Sequence, residues 1–232
     1  MNVLRSYFQD FVGLFFPDLC AGCGRNLFKN EEVICTECIY HLPVTNHQLD
    51  ADNAVARQFW GRIPFVQASA FTYFKKGNKV QKLMYQLKYN NRPKVGVRMG
   101  SLYAAELKRC DTWSLPDAIV PVPLHPRKRK KRGYNQSEHI AVGLANVLGI
   151  PVISDQLIRA ENTATQTRKA RWARYENLKE AFAVKDAGAL ENKHLLLVDD
   201  VITTGSTLEA CSVELLKIKN VRISIAALAF AG

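Results

Sequence analysis

The chain has 232 residues, 47% of them apolar, which suffices for one large domain with a real core plus one small module. No apolar run approaches the ~20 residues of a membrane span, which argues against an integral membrane protein. The formal net charge of +11 is uneven, since residues 127–132 alone contribute six consecutive positive charges, and such an excess points to an anionic partner, nucleic acid or pyrophosphate.

In chain order, residues 3–16 come first. They hold Val3, Leu4, Phe8, Phe11, Val12, Leu14, Phe15 and Phe16 and predict a sticky helix. Asp10 and the cysteine motif directly behind it argue against a signal peptide, so the helix is expected to pack on the module that follows. That module carries Cys20-x2-Cys23 and Cys35-x2-Cys38. Each pair can grip one metal ion from two sides, and four thiolates predict a tetrahedral, structural Zn²⁺ with no open position for catalysis. Without a secretory signal the expected location is cytoplasmic, where thiols stay reduced and disulfides are rare. Cys110 and Cys211 have no partner at metal-binding spacing, and Cys211 is expected as a small buried hydrophobe in a helix. The expected organisation is a zinc module over 1–45, a polar, irregular linker over 46–64, and the main domain over 65–232.

Within the main domain, residues 65–74 predict a strand. Val80, Leu83, Met84 and Leu87 have helical spacing, giving a helix over 78–89 that Pro93 breaks, and a second helix follows over 96–108. Residues 118–124 read as a strand running into a turn. The basic run Arg127, Lys128, Arg129, Lys130, Lys131, Arg132 is expected as a solvated loop. Ile140, Leu144, Val147 and Leu148 place a helix over 136–148, ended by Gly149. Short strands are expected near 151–153, 156–159 and 181–184, with a polar, mobile loop over 160–177. A strand over 195–200, a helix over 205–218 and a strand over 221–229 complete the chain. Strand–helix alternation of this kind gives a parallel α/β sheet flanked by helices.

The most specific string is Leu195-Leu196-Leu197-Val198-Asp199-Asp200-Val201-Ile202-Thr203-Thr204-Gly205-Ser206-Thr207. A short continuous apolar stretch suits the middle of a sheet covered on both faces, and ligands of such sheets bind beyond the carboxyl ends of the strands. The turn Thr203, Thr204, Gly205, Ser206, Thr207 opens a helix, whose first N–H groups form an anion cradle. Carboxylates beside a phosphate cradle suit a sugar phosphate. A nucleotide-hydrolase metal strand also ends in acids, but its partner loop G-x-x-x-x-G-K-[ST] does not occur in the chain.

The string resembles the 5-phosphoribosyl-1-pyrophosphate (PRPP) loop of type I phosphoribosyltransferases. With Pro121-Val122-Pro123-Leu124, then Arg132-Gly133-Tyr134-Asn135-Gln136, then Gln166, Arg174 and Asn177, and a four-cysteine module in front, the resemblance narrows to the ComF family, which includes ComFC-type competence proteins and GntX. It implies a type I phosphoribosyltransferase-like sheet and a PRPP ligand held with Mg²⁺. Asp199 and Asp200 are the catalytic carboxylates that orient the ribose, and Thr203, Thr204, Gly205, Ser206 and Thr207 hold the 5-phosphate. Val122, Pro123 and Leu124 form the pyrophosphate loop, with backbone N–H groups of Val122, Leu124 and His125 as donors and none from Pro123. Gln166, Arg168, Arg171 and Arg174 lie in the flexible loop that closes the site. Tyr134 stands where the family usually has Phe, and Lys169 where it often has Leu.

The same resemblance implies a role in natural transformation. Single-stranded DNA is then the expected partner of Arg127, Lys128, Lys130, Lys131, Arg132 and Tyr134, with Trp60 or Tyr40 as stacking surfaces. A competence helicase or other DNA-uptake protein is the expected protein partner. The alternative is a metabolic phosphoribosyltransferase acting on a small base. That reaction needs an acceptor hood, and Gly232 follows directly on the last strand, leaving only the zinc module and residues 65–110 to supply one.

Overall fold

The computed structural model describes residues 17–159 and 182–232. The expected helix over 3–16 and the loop residues Gln166, Arg168, Lys169, Arg171, Arg174 and Asn177 lie outside the described residues.

The described strands are β1 (Ala68–Tyr73), β2 (Ala118–Pro121), β3 (Leu157–Arg159), β4 (Phe182–Val184), β5 (His194–Ile202) and β6 (Arg222–Phe230). Four of them form a parallel sheet in the order β1-β6-β5-β2, while β3 and β4 pair antiparallel and bring the two ends of the segment 160–181 together. The strand expected over 151–153 is a single bridge, Val152 to Ile119.

The helices are α1 (Thr36–Tyr40), α2 (Ala54–Phe59), α3 (Lys79–Tyr89), α4 (Lys94–Lys108), α5 (Pro126–Arg132), α6 (Gln136–Leu148) and α7 (Ser206–Leu215). They cover both faces of the sheet, which explains why β5 is apolar without alternation. Leu196 and Val198 enter one core with Leu83 and Leu87 of α3, Met99 and Tyr103 of α4, and Ile140 and Leu144 of α6. Leu195 and Leu197 enter the other with Val55 and Phe59 of α2 and Leu208, Cys211 and Leu215 of α7. Cys20, Ala21, Ile34 and Cys38 belong to the first of these cores, so the cysteine module is packed on the sheet domain. Helices α4 and α6 approach most closely at Gly100 and Gly143, where a Cβ would run into the carbonyl oxygens of Ile140 and Val97 respectively.

Two further readings of the sequence change. Residues 46–64 are not irregular: they hold a 3-10 turn over His47–Leu49 and helix α2. Asn53 explains the helix, because its Oδ1 accepts from the N–H groups of Val55 (2.9 Å) and Ala56 (3.0 Å) while its Nδ2 donates to the carbonyl of Ala68 (2.8 Å), fixing α2 to β1. The basic run is a helix rather than a loop. Pro126 occupies its first turn, His125 Nδ1 accepts from the N–H of Arg127 at 3.2 Å, and Gly133 ends it at φ 82°. Lys and Arg are good helix formers, so strong charge did not prevent the turn from closing.

Candidate functional site

Strand lengths create the site. The N–H of Val122 donates to the carbonyl of Val198 at 2.9 Å, after which Pro123 turns the chain away from β5. β5 continues alone beside β6, with Asp199 in register with Ala227 and Val201 with Ala229. Asp199 and Asp200 therefore sit inside the last part of β5, on the side that β2 has vacated. The Val122 N–H is consumed by this ladder and is not free to bind pyrophosphate, contrary to the sequence expectation.

Asp199 Oδ1 accepts from Ser137 Oγ (3.1 Å) and from the N–H of Asp200 (2.8 Å). Burial, followed by the charge of Asp200, pushes the Asp199 carboxyl up to about 7. Asp200 Oδ1 lies 2.9 Å from Lys88 Nζ of α3. The string Arg132-Gly133-Tyr134-Asn135-Gln136 turns out to be the brace of this site. Asn135 Nδ2 donates to the carbonyl of Val122 (2.9 Å), its Oδ1 accepts from the N–H of Ser137 (3.2 Å), and Arg132 Nη1 donates to Gln136 Oε1 (2.7 Å). Tyr134 is half-buried, donates its hydroxyl to the carbonyl of Leu87 and meets His139 edge-on, so it is not an open stacking surface.

The hydroxyl-rich turn follows directly. Gly205 has φ 72°, and a Cβ there would come within 2.9 Å of Phe59 Cζ, so both conformation and packing require glycine. The first bond of α7 runs from the N–H of Glu209 to the carbonyl of Gly205, which leaves the N–H groups of Ser206, Thr207 and Leu208 without helical partners. Thr203 and Thr204 are exposed, and Thr204 Oγ1 and Ser206 Oγ are 3.0 Å apart. These groups can accept a phosphate.

α2 and the residues after it hold this turn from behind. Gln58 Nε2 donates to the carbonyl of Thr203 (2.8 Å), Arg62 Nη1 donates to the carbonyl of Thr204 (3.0 Å), and Arg62 also pairs with Glu209. Sequence reading missed Lys88, Ser137, Gln58 and Arg62. Each acts across a long chain separation, and only Ser137, next to Gln136, stood beside a recognised motif.

On α5, Arg129 pairs with Glu138 at 3.3 Å and Arg132 stands over the ring of Tyr89 at 5.4 Å. Among the described residues Arg127, Lys128, Lys130 and Lys131 have no acidic partner. Lys88, Tyr89, Lys128, Lys130, Lys131 and Arg132 surround a cavity of about 540 Å³.

The Sγ atoms of Cys20, Cys23, Cys35 and Cys38 lie within 4.8 Å of one another, and none is in a disulfide. The N–H groups of Gly22 (3.4 Å) and Cys35 (3.2 Å) point at Cys20 Sγ, as suits a thiolate. The Arg25 N–H beside Cys23 holds its thiol down at about 6. Gly22 makes room for the cluster, since a Cβ would stand 3.1 Å from Cys38 Sγ. This donor set fits a tetrahedral zinc ion. No helix among the described residues is long and apolar enough to cross a membrane.

Residues 135–232 match the phosphoribosyl transferase domain family. The chain is 32% identical over 193 residues to DNA utilization protein YhgH of Salmonella typhimurium, covering 82% of this chain and 80% of that one. It is 30% identical over 208 residues to competence protein F of Haemophilus influenzae, covering 85% and 90%. Among solved structures, the purine phosphoribosyltransferase of Pyrococcus horikoshii is 25% identical with a TM-score of 0.37, over 57% of this chain and 71% of that one. With this extent of identity to competence protein F and YhgH, a phosphoribosyl transferase domain and a four-cysteine cluster in front of it, the chain belongs to the ComF family.

Proposed function

We propose that the protein binds PRPP with Mg²⁺ at the end of β5 and single-stranded DNA along α5, and that it handles incoming DNA on the cytoplasmic side of the membrane during natural transformation. The observation that carries this reading is the joining of two features at one sheet edge: paired carboxylates beside a hydroxyl-lined helix start, and a basic helix linked to them through Lys88. The names of the relatives, a DNA utilization protein and a competence protein, support the role.

In this reading Asp199 and Asp200 orient the ribose hydroxyls, and Thr203, Thr204, Gly205, Ser206 and Thr207 hold the 5-phosphate. The backbone N–H of Leu124 serves the pyrophosphate, and Gln166 with Arg168, Arg171 or Arg174 closes over it. Bound Mg²⁺ supplies charge neutralisation of the pyrophosphate. Zn²⁺ on Cys20, Cys23, Cys35 and Cys38 has a structural part. A competence helicase or another DNA-uptake protein is the proposed partner.

Calorimetry with Mg²⁺-PRPP tests the first half. Wild type should bind, and Asp199→Ala with Asp200→Ala should abolish binding while leaving the fold intact; unchanged affinity in the double variant refutes the site. Titration of a labelled oligonucleotide at two salt concentrations tests the second half, and pyrophosphate release with a panel of bases tests whether transfer occurs.

A further inference from the structure

Helix α3 has two faces. Val80, Leu83, Met84 and Leu87 are buried against the sheet. On the opposite side Lys82, Tyr85 and Tyr89 follow one another at three and four residues and line up along the helix, spanning roughly 10 Å at about 1.5 Å per residue. Tyr85 is 56% exposed and Tyr89 61% exposed, which is unusual surface for two large rings in one place. Their centroids are 5.1 Å apart, and the guanidinium of Arg132 stands 5.4 Å from the Tyr89 ring. The rings are tilted 44° to one another, and the guanidinium lies beside the second, so the three groups follow in a row.

Hollows flank this run at both ends. Beyond Tyr89 lies the 540 Å³ cavity lined by Lys88 and the α5 lysines. Beyond Tyr85, a cavity of about 380 Å³ lies between Lys82 and the first cysteine knuckle, residues 20–24. Flat groups flanked by cations suit unpaired bases on a phosphate backbone. A duplex buries its base faces and has nothing to offer such a surface.

The geometry points to Tyr85 and Tyr89 as the base-stacking platform for a single strand of nucleic acid, which runs along α3 from the basic helix toward the cysteine module. Lys128 and Lys131 face the backbone phosphates at one end and Lys82 at the other. This rests on the nucleic-acid reading above and replaces Tyr134 as the aromatic partner of the basic helix. It also places the strand beside Asp200, because Lys88 lines the cavity and touches that carboxylate.

The test is fluorescence anisotropy with a labelled single-stranded oligonucleotide and the full chain. Tyr85→Leu with Tyr89→Leu keeps apolar bulk and removes both flat faces. It should weaken binding at least about fivefold, as expected for loss of one or more stacked bases, without changing the salt slope or the thermal unfolding midpoint. Tyr85→Phe with Tyr89→Phe should bind within about twofold of wild type. Wild-type affinity in the Leu variant, or a duplex that competes as well as the single strand, overturns the platform while leaving DNA binding by α5 in place. Absence of any oligonucleotide binding by wild type overturns both.

Discussion

Lys88 Nζ lies 2.9 Å from Asp200 Oδ1, which joins α3 to the carboxylate end of β5 across 112 positions of sequence. The two side chains are only 22% and 15% exposed, so the pair is less screened than an ordinary surface ion pair. The same charge also favours the ionised form of neighbouring Asp199. In Lys88→Met the Asp199 midpoint should therefore rise above about 7. Carboxyl-carbon NMR titration measures it, and an unmoved midpoint removes Lys88 from the electrostatics of the site.

Asp199 should leave its mark on stability as a function of pH. An Asp raised from 3.8 to about 7 keeps its proton in the folded chain after the unfolded chain has lost it. Folding is then favoured most below about pH 4, and that contribution is lost as pH rises toward about 7. At roughly 1.4 kcal/mol per unit the effect is at most about 4 kcal/mol, and solvent at the open side of β5 reduces it. Asp199→Asn should flatten this fall, so urea unfolding at pH 5 and pH 8 should differ less than in wild type. An equal pH dependence in both proteins would rule out Asp199 as its source.

Metal removal is the next test. Purified, reduced protein should contain about one equivalent of zinc, and a strong chelator should release it with loss of protection in the segment from Cys20 to Cys38. Because Cys20 and Cys38 share a core with α3 and α4, the thermal midpoint of the whole domain should fall as well. Metal analysis giving no zinc, or a disulfide between any two of these cysteines, contradicts the assignment.

Neutralising Arg127, Lys128, Lys130 and Lys131 together should weaken oligonucleotide binding and reduce its salt slope, since each phosphate contact releases a counterion. None of the four is buried or has an acidic partner among the described residues, so the fold should survive. If this variant loses PRPP affinity but keeps its oligonucleotide binding, the helix serves pyrophosphate and not DNA.

Gly143→Ala sets two effects against each other. Alanine favours a helix interior by about 1 kcal/mol. Its Cβ, however, would meet the Val97 carbonyl and the Ser101 N–H of α4, which are backbone atoms and cannot swing aside. The collision should win, with a net loss of about 1–3 kcal/mol in denaturant unfolding. A neutral or stabilised variant would show that α4 and α6 can slide apart.

The sequence by itself determined the class of fold, the cysteine cluster and the carboxylate-hydroxyl string. Each is written in neighbouring residues: apolar runs with helical or strand length, two C-x-x-C pairs, thirteen contiguous positions from Leu195 to Thr207. The basic helix was hidden because charge periodicity carries no apolar stripe, although Pro126 and Gly133 mark its ends. Helix α2 was hidden because it is only six residues long and buries only Val55, Ala56 and Phe59, too short for a periodic apolar stripe. Tertiary structure alone decided what surrounds the site. Lys88, Ser137, Gln58 and Arg62 reach Asp200, Asp199, Thr203 and Thr204 only because α2, α3 and α6 pack beside one end of β5. It also decided which donors stay free. Strand pairing uses the Val122 N–H and the carbonyl of Leu87 takes the Tyr134 hydroxyl, since a hydrogen-bonding group satisfied inside the fold is not available to a ligand.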